Sequence, residues 1–308
     1  PCGTLFPYTT LFRSGVATPN PDGSYTVTSP VAIPEFVNGS GVVAIEGHPA
    51  VESDPGSGNF DLRVPVESVH EFFPITDAVA DPRRMVVALS KCNECHGNLN
   101  FHGNNRNNNI QVCVICHNPN ATDINQRPAD LSETPDGEDE ETIDFKYMIH
   151  AIHAGDEDFF GFREDGIVVY GFGGTAHDFA DVVLPSGLQN LQNCMGCHLT
   201  DPRTFVLPWV DKNVLPTTID TGDDIADPDD DVNITPIASI CSSCHDSLAA
   251  KTHMSEEGAS FEFIPFLPAD GEGDGDGSET ELCGPGPISA QPAGHTDRLD
   301  CCSCHTIQ

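Results

Sequence analysis

The sequence predicts a small antiparallel β domain over residues 15–80, followed by a mostly irregular domain with short helices over residues 81–308. Three observations carry this prediction. Alternating and β-branched runs are concentrated before residue 80. The 308 residues include 28 glycines and 25 prolines, which favour turns over long elements. They also include 13 cysteines and 13 histidines, so a bound metal or cofactor is expected to fill much of the interior.

The β domain is predicted from three runs, SYTVTS (24–29), GVVAIEG (41–47) and DLRVPVESV (61–69). Pro, Gly and Asn separate these runs, as is typical of turns between short strands. The runs fit a small antiparallel domain or the remaining part of one. Residues 1–14 are excluded because TLFPYTTLFRS (4–14) resembles the translation of a common sequencing adapter, and we expect the authentic chain to begin upstream.

The formal net charge of −35 argues against nucleic acid and bare anionic membrane as partners. Acidic runs occur at 136–141, 220–231 and 270–281, and we interpret them as solvated loops. The last run also fits a calcium loop with Asp270, Glu272, Asp274 and Glu281 as ligands, although Glu272 stands where Asp or Asn is expected. Calcium is therefore a second candidate cofactor.

Ten of the cysteines fall into five C-x-x-C-H motifs, a number that chance does not produce. They are CNECH (Cys92, Cys95, His96), CVICH (Cys113, Cys116, His117), CMGCH (Cys194, Cys197, His198), CSSCH (Cys241, Cys244, His245) and CCSCH (Cys301, Cys304, His305). Two thiols at this spacing can add to the two vinyl groups of one haem, and the following histidine then stands under the iron. The motifs predict five covalently bound haem c groups.

Structural zinc and a redox dithiol are the alternatives for these motifs. A zinc site of this type needs two C-x-x-C pairs, whereas five pairs is an odd number and each trailing histidine would be idle. A thioredoxin-like dithiol occurs once per domain beside a βαβ pattern, which the sequence lacks. Covalent haem is favoured over both.

Five haems need five further iron ligands or leave iron positions open. Eight histidines lie outside the motifs, and His48 and His70 stand in the strand-like region, where a surface or core role is expected. The other six are candidates for five places, with His177 as the reserve: His102, His150, His153, His177, His253 and His295.

Two of these candidates stand on one predicted helix in FKYMIHAIHAG (145–155). Thr142 is expected to cap it, Gly155 to end it, and Phe145, Met148, Ile149 and Ile152 to form its apolar stripe. At 100° per residue, His150 and His153 point about 60° apart. This spacing predicts that one helix supplies ligands to two adjacent haems.

The remaining candidates lie near the motifs. His102 follows His96 by six residues, and His253 follows His245 by eight, so both can reach a neighbouring haem. Arg106 is expected to meet a haem propionate or to be solvated. Cys283 and Cys302 form a disulfide or remain thiols, and the sequence leaves both readings open.

Several segments together resemble the outer-membrane decahaem c-type cytochromes of the OmcA/MtrC family. They are KCNECHGNLNFHGNNR, CVICHNPNATD, FKYMIHAIHAG, HDFADVVLP, CSSCHDSLAAKTHM and GHTDRLDCCSCH. The family alternates β domains with pentahaem domains, and this chain resembles the C-terminal pair, with five more haems expected upstream. The resemblance implies bis-histidine haems with distal ligands at His102, His150, His153, His253 and His295.

The resemblance also implies a function and a place in the cell. We expect electron conduction to extracellular metal oxides, metal ions or flavins in anaerobic respiration, from the cell surface and after export through the periplasm. The implied partners are other multihaem cytochromes or an outer-membrane porin–cytochrome complex. Electron transfer is favoured over a substrate-specific oxidoreductase. The alternatives are a multihaem reductase with one open iron and a subunit of a cytochrome filament.

Overall fold

The computed structural model describes residues 17–29, 32–155, 162–182, 184, 194–199, 214–225, 227 and 229–261. Several predictions fall outside these residues: the fifth motif (Cys301, Cys304, His305), His295, the pair Cys283 and Cys302, and the calcium candidates Asp270, Glu272, Asp274 and Glu281. They stay predictions.

The described elements are short. In chain order they are β1 (Thr18–Pro19), β2 (Tyr25–Thr26), β3 (Ser40–Ile45), β4 (Ala50–Val51), β5 (Leu62–Arg63), β6 (Val69–Pro74), α1 (Leu89–His96), β7 (Asn100–Phe101), β8 (Arg106–Asn107), α2 (Ile110–Cys116), α3 (Phe145–Ala154), β9 (Val168–Gly171), β10 (Thr175–Asp178), β11 (Thr217–Asp220), β12 (Val232–Ile234), α4 (Pro236–Cys241) and α5 (Leu248–Glu256). All named strands pair antiparallel in two-stranded sheets. This confirms the predicted mixture of small β elements and short helices.

The chain divides into two compact units. Among the described residues, the first unit contains those up to Arg84 together with Asn100–Cys116, and the second contains Met85–Leu99 and those from His117 onward. The domain boundary near residue 80 stays a prediction.

The first unit is built on the pairing of β3 with β6, in register from Ser40 opposite Pro74 to Ile45 opposite Val69. The strand β3 arises from the predicted run GVVAIEG, whereas the run SYTVTS forms strand only at β2. In the same unit, Asn109 at the start of α2 donates to the Ser68 carbonyl at 2.7 Å and lies 2.9 Å from His70 Nδ1. These bonds attach the helix of the second motif to β6.

The second unit has a small core in which alanines pack beside larger apolar side chains. Tyr147 and Ala151 of α3 pack with Ala238 of α4, Met254 of α5 and Ile234 of β12. Four strands, β9 to β12, also occur here, although the sequence predicted that strands fade beyond residue 80. The run IVVY (167–170) lies between Gly166 and Gly171 and is the sequence signal for β9 that the prediction missed, since β-branched residues favour strands.

No helix in the described part of the chain combines the length and the apolar character that a membrane span requires.

The helix α3 has the predicted bounds but a different cap. Asp144 is the N-cap residue, and its side chain accepts hydrogen bonds from Lys146 N and, at 2.6 Å, from Thr217 Oγ1. The prediction of Thr142 as the cap is wrong because Asp144 stands directly before the first helical residue, while Thr142 accepts a bond from Asp144 N at 3.3 Å. Gly155 ends the helix with φ of 62°, a conformation that favours glycine.

The buried face of α3 also differs from the predicted stripe. Tyr147, Met148, Ala151 and Ala154 are its buried residues, and both alanines are fully enclosed. Phe145, Ile149 and Ile152 are only partly buried. The two alanines let neighbouring elements approach the helix axis, and Tyr147 and Met148 complete the buried face. Of the predicted stripe, only Met148 is buried.

The two described acidic runs are not simply solvated. Asp136 forms an ion pair of 2.9 Å with Arg127. Glu140 is buried and accepts from Thr221 N at 2.7 Å. Asp231 is also buried, and this burial raises its pKa to about 6. These carboxylates correct the expectation of solvated loops, because hydroxyl, backbone and guanidinium donors several residues away in sequence offset their loss of water.

Removing the cap of α3 is expected to destabilise the second unit. Asp144→Ala leaves Lys146 N and Thr217 Oγ1 without their acceptor and should lower the free energy of unfolding by about 1–3 kcal/mol. Asp144→Asn keeps a capping oxygen and should recover most of the loss. Urea unfolding followed by circular dichroism measures both variants, and equal stability of Asp144→Ala and the parent would contradict the assignment.

Candidate haem-ligand centres

The four described motifs each lie on or beside a helical turn. The first forms the end of α1 and the second the end of α2, while the third begins with a 3₁₀ turn at Cys194–Gly196 and the fourth begins at the last residue of α4. In a helix, side chains three and four positions apart share one face. The two thiols and the histidine of a motif are therefore presented together, as attachment of one planar cofactor requires.

Burial changes the acidity of four motif thiols. It raises the pKa of Cys92, Cys116 and Cys197, and raises the pKa of Cys244 to about 11. The attacking thiol of a redox dithiol instead has a lowered pKa, so these four thiols do not resemble it. Within the described parts of the chain, no three His, Cys, Asp or Glu side chains gather into a set that could hold a metal ion.

Two motif histidines each face one histidine of α3. The ring centres of His96 and His153 lie 6.1 Å apart, with the ring planes at 87°. The ring centres of His150 and His198 also lie 6.1 Å apart, with the planes at 15°. The helix thus directs one imidazole toward the first motif and the other toward the third.

This separation fits an iron atom held between two imidazoles. With metal–nitrogen bonds of about 2.0 Å, two imidazoles on opposite sides of one iron have ring centres about 6 Å apart. Both observed pairs match that distance. The residues present therefore suit bis-histidine haem at the first and third motifs.

Hydrogen bonds to the backbone fix the tautomer of the two helix histidines. His150 Nδ1 lies 2.6 Å from Lys146 O, and His153 Nδ1 lies 2.8 Å from Ile149 O. Since a carbonyl oxygen only accepts, each Nδ1 must carry the hydrogen, which leaves the Nε2 lone pair available to a metal. The same bond orients the ring and raises its basicity as a ligand.

The protonation of these rings also suits ligation. Burial, together with the neighbouring His198, lowers the pKa of His150 to about 4. Burial likewise lowers the pKa of His153 and of His198. All three imidazoles are accordingly neutral at pH 7, and neutral imidazole is the form that binds iron.

The second motif contacts the segment that leads into α3. His117 Nδ1 lies 3.0 Å from Ile143 O, and Phe145 N donates to His117 O at 3.1 Å. The bond to Ile143 again places the hydrogen on Nδ1 and leaves Nε2 for a metal. Residues 143–154 therefore contact the histidines of three motifs.

The first and third motifs are joined directly. Ala88 N donates to Cys197 O at 3.1 Å, and Leu199 N donates to Val86 O at 3.0 Å. Lys91 Nζ donates to Met195 O and to His198 O, both at 2.6 Å. Sequence reasoning missed Lys91. Its position directly before Cys92, in a chain with only 13 basic residues, is a signal that could have marked it as a functional residue.

The fourth motif is held by a neighbouring arginine. Arg163 donates to Ser243 O at 3.2 Å and Ser242 O at 3.5 Å, and forms an ion pair of 3.2 Å with Asp246. The Phe162 ring meets His245 edge to face at 6.4 Å between ring centres. Sequence reasoning missed Arg163 because its partners lie about 80 residues away.

The other candidate histidines in the described part of the chain are exposed. His102 lies in an exposed turn with φ of 54°, and His253 lies exposed on α5. His177 is exposed on β10, with its ring centre 6.4 Å from that of Phe179. Arg106 pairs with Glu46, a partner that neither predicted role included.

The carboxyl group of Glu141 makes stability depend on pH. Burial raises the pKa of Glu141 to about 7, against the opposing effect of the Arg163 guanidinium. An unfolded Glu titrates near 4.3, so between these pH values the folded protein keeps a proton that the unfolded chain has released. The free energy of unfolding therefore falls as the pH rises from about 4.5 to 7.

Replacing this carboxyl should remove that part of the pH dependence. Between pH 5 and pH 8 the parent is expected to lose on the order of 1–3 kcal/mol of unfolding free energy that Glu141→Gln keeps. Urea titrations at both pH values measure the difference. The exposed Glu133→Gln is the control, and an identical pH dependence in parent and Glu141→Gln would exclude the effect.

Comparison with known proteins adds one finding to this geometry. The family model described as "Outer membrane cytochrome MtrC/MtrF-like, domains II/IV" matches residues 84–283, more than half of the chain. The matched range contains the first four motifs and five of the six candidate distal histidines. No curated protein matches the chain.

Proposed function

The chain belongs to the family of MtrC/MtrF-like outer membrane cytochromes, and on that premise we propose that it conducts electrons through bis-histidine haems to acceptors outside the cell. The family supports c-type haem, electron transport and a place at the cell surface. The finer claims, namely five haems, two histidines on each described iron and the class of acceptor, are the proposal.

The observation that carries the proposal is the pairing on α3. His96 with His153 and His198 with His150 have the separation that one iron between two imidazoles requires. For the haems of the other three motifs, the proposed distal ligands are His102, His253 and His295, with His177 in reserve. His96, His117, His198, His245 and His305 serve as the proximal ligands.

The protein groups support electron transfer rather than bond chemistry. Haem iron, when bound, supplies a one-electron couple between its ferric and ferrous states. With a histidine on each side, no coordination position is left for a substrate. The backbone bonds at Nδ1 hold each ring in one orientation, so little reorganisation accompanies a change of charge.

The helix α3 also sets the path between centres. His150 and His153 are three residues apart on one rod, so the irons that they bind are neighbours. Direct backbone bonds between residues 86–88 and 197–199 hold the first and third motifs together. Electrons can thus pass between these centres without motion of the chain.

The charge of the chain sets the range of potentials. A formal net charge of −35 favours the more positive, oxidised iron, and histidine pairs do so more than methionine. Low potentials suit delivery of respiratory electrons to metal oxides, soluble metal ions or flavins. The partners that fit are other multihaem cytochromes or a porin–cytochrome complex in the outer membrane.

Loss of one helix histidine should expose one iron. His150→Ala and His153→Ala are each expected to convert a single haem to the high-spin state, because each side chain is the second ligand of a different iron. Absorption and resonance Raman spectra measure the spin state, and a pyridine haemochrome assay with intact mass should give five haems in parent and variants. His48→Ala is the control, since His48 is outside the set of candidate ligands, and it should stay low-spin. An unchanged spectrum in either helix variant removes that histidine from the ligands, and a colourless protein excludes the proposal.

The reduced protein should lose electrons to acceptors that need no bound site. Ferric citrate and oxidised flavin mononucleotide are each expected to reoxidise the dithionite-reduced protein rapidly after mixing. The protein is not expected to catalyse the reduction of nitrite or hydroxylamine. Stopped-flow absorbance follows the haems, and product assays follow the two nitrogen compounds. Turnover of either compound would favour the reductase alternative.

A further inference from the structure

Two buried or half-buried cations contact the backbone of haem motifs, in a chain with 13 basic and 48 acidic residues. Lys91 contacts the third motif, and Arg163 contacts the fourth. Each cation therefore comes from a segment outside the motif that it touches. The fold thus places two of its few basic side chains against the turns of haem motifs.

Lys91 joins α1 to the turn of the third motif. Its ammonium group donates to Met195 O, inside the motif, and to His198 O, the carbonyl of the proximal histidine. Both bonds are 2.6 Å long, and Lys91 itself is half-buried. The positive charge is thus fixed at the residue proposed to hold the third iron.

Arg163 makes the corresponding contact at the fourth motif. Its guanidinium donates to the carbonyls of Ser242 and Ser243, the two residues between the motif cysteines. Its Nε donates to Asp165 O at 2.9 Å, and Asp246, which follows His245, completes its set of partners. With a side chain only 7 % exposed, Arg163 holds its charge in a region that water does not screen.

Carbonyls at the end of a helical turn have no partners within that turn and carry partial negative charge. A cation placed there satisfies them and fixes the shape of the turn. The same cation would act electrostatically on an iron attached through that turn. Ferric iron is more positive than ferrous iron, so a nearby positive charge destabilises the oxidised state.

We propose that Lys91 and Arg163 are positioning residues that hold the turns of the third and fourth motifs and raise the reduction potentials of the haems attached there. This inference rests on the proposed function, because it requires haem at both motifs. The overall negative charge lowers all potentials together, whereas these two cations act on one centre each. Each cation therefore raises the potential of one haem above the value that this haem would have without it.

Four variants of lysine residues test the charge at the third motif in the full haem-loaded protein. Lys91→Met keeps the length of the side chain without charge or donors, Lys91→Gln keeps a donor without charge, and Lys91→Arg keeps both. Lys251→Met is the matched control, since Lys251 is exposed on α5. Spectroelectrochemical titration of the haem absorbance measures the midpoint potentials.

We expect Lys91→Met and Lys91→Gln to shift one component of the titration, equal to one haem, to a more negative potential. Lys91→Arg should leave that component in place, and Lys251→Met should leave all components in place. Arg163→Lys should likewise retain the potential of the fourth haem, whereas Arg163→Met should lower it. Arg163 is buried, so its Met variant can fail to fold for reasons unrelated to potential. In that case the variants of the half-buried Lys91 decide the proposal.

The outcomes separate this inference from the proposed function. Haem content and low-spin spectra are measured first in every variant, and missing haem in the parent overturns the proposed function. If the parent carries its haems but neither Lys91→Met nor Lys91→Gln shifts a component, the tuning role is overturned and the proposed function stands. An equal shift in Lys91→Arg also overturns it, because the charge is then not the cause.

Discussion

The hydrogen bonds from Nδ1 of His150 and His153 to carbonyls one turn earlier are the constraint on which the candidate site depends. Each bond removes rotation about the ring and leaves one nitrogen for iron. The bonds exist only while the helix is intact at both ends. The cap at Asp144 and the left-handed Gly155 provide those ends, and the two fully buried alanines bring the core against the helix. Local capping and packing of one ten-residue helix thus determine the position of two candidate haem ligands.

Buried ion pairs and hydrogen bonds to backbone carbonyls connect separate segments of this protein. Arg127 pairs with Asp123 at 2.8 Å and donates to Val168 O at 2.7 Å, with its guanidinium 5.0 Å from the centre of the Tyr170 ring. Arg163 links a loop to the fourth motif in the same way. A guanidinium offers five donors in a planar fork, so one side chain can connect several loop carbonyls. This suits a chain rich in turns whose apolar side chains are few.

The sequence allowed prediction of features that arise locally. The bounds of α3 follow from its amphipathic spacing and from Gly155, and the strand β3 follows from β-branched residues. Features that depend on distant residues could not be derived. No periodicity indicates that Val69–Pro74 pairs with Ser40–Ile45, that His153 faces His96 rather than another motif, or that Thr221 binds Glu140. The prediction of Thr142 as the cap is wrong for a local reason, because Asp144, two residues later, directly precedes the first helical residue.

The enclosure of the fourth motif restricts the residues that can stand between its cysteines. Ser242 and Ser243 are 2 % and 0 % exposed, and Ala238 before the motif is fully enclosed, whereas Cys241 and Cys244 are only partly buried. A side chain larger than serine at either middle position would have to displace its neighbours, which costs stability in a tightly packed region. The two residues that a C-x-x-C-H pattern leaves free are therefore fixed here by the surrounding structure.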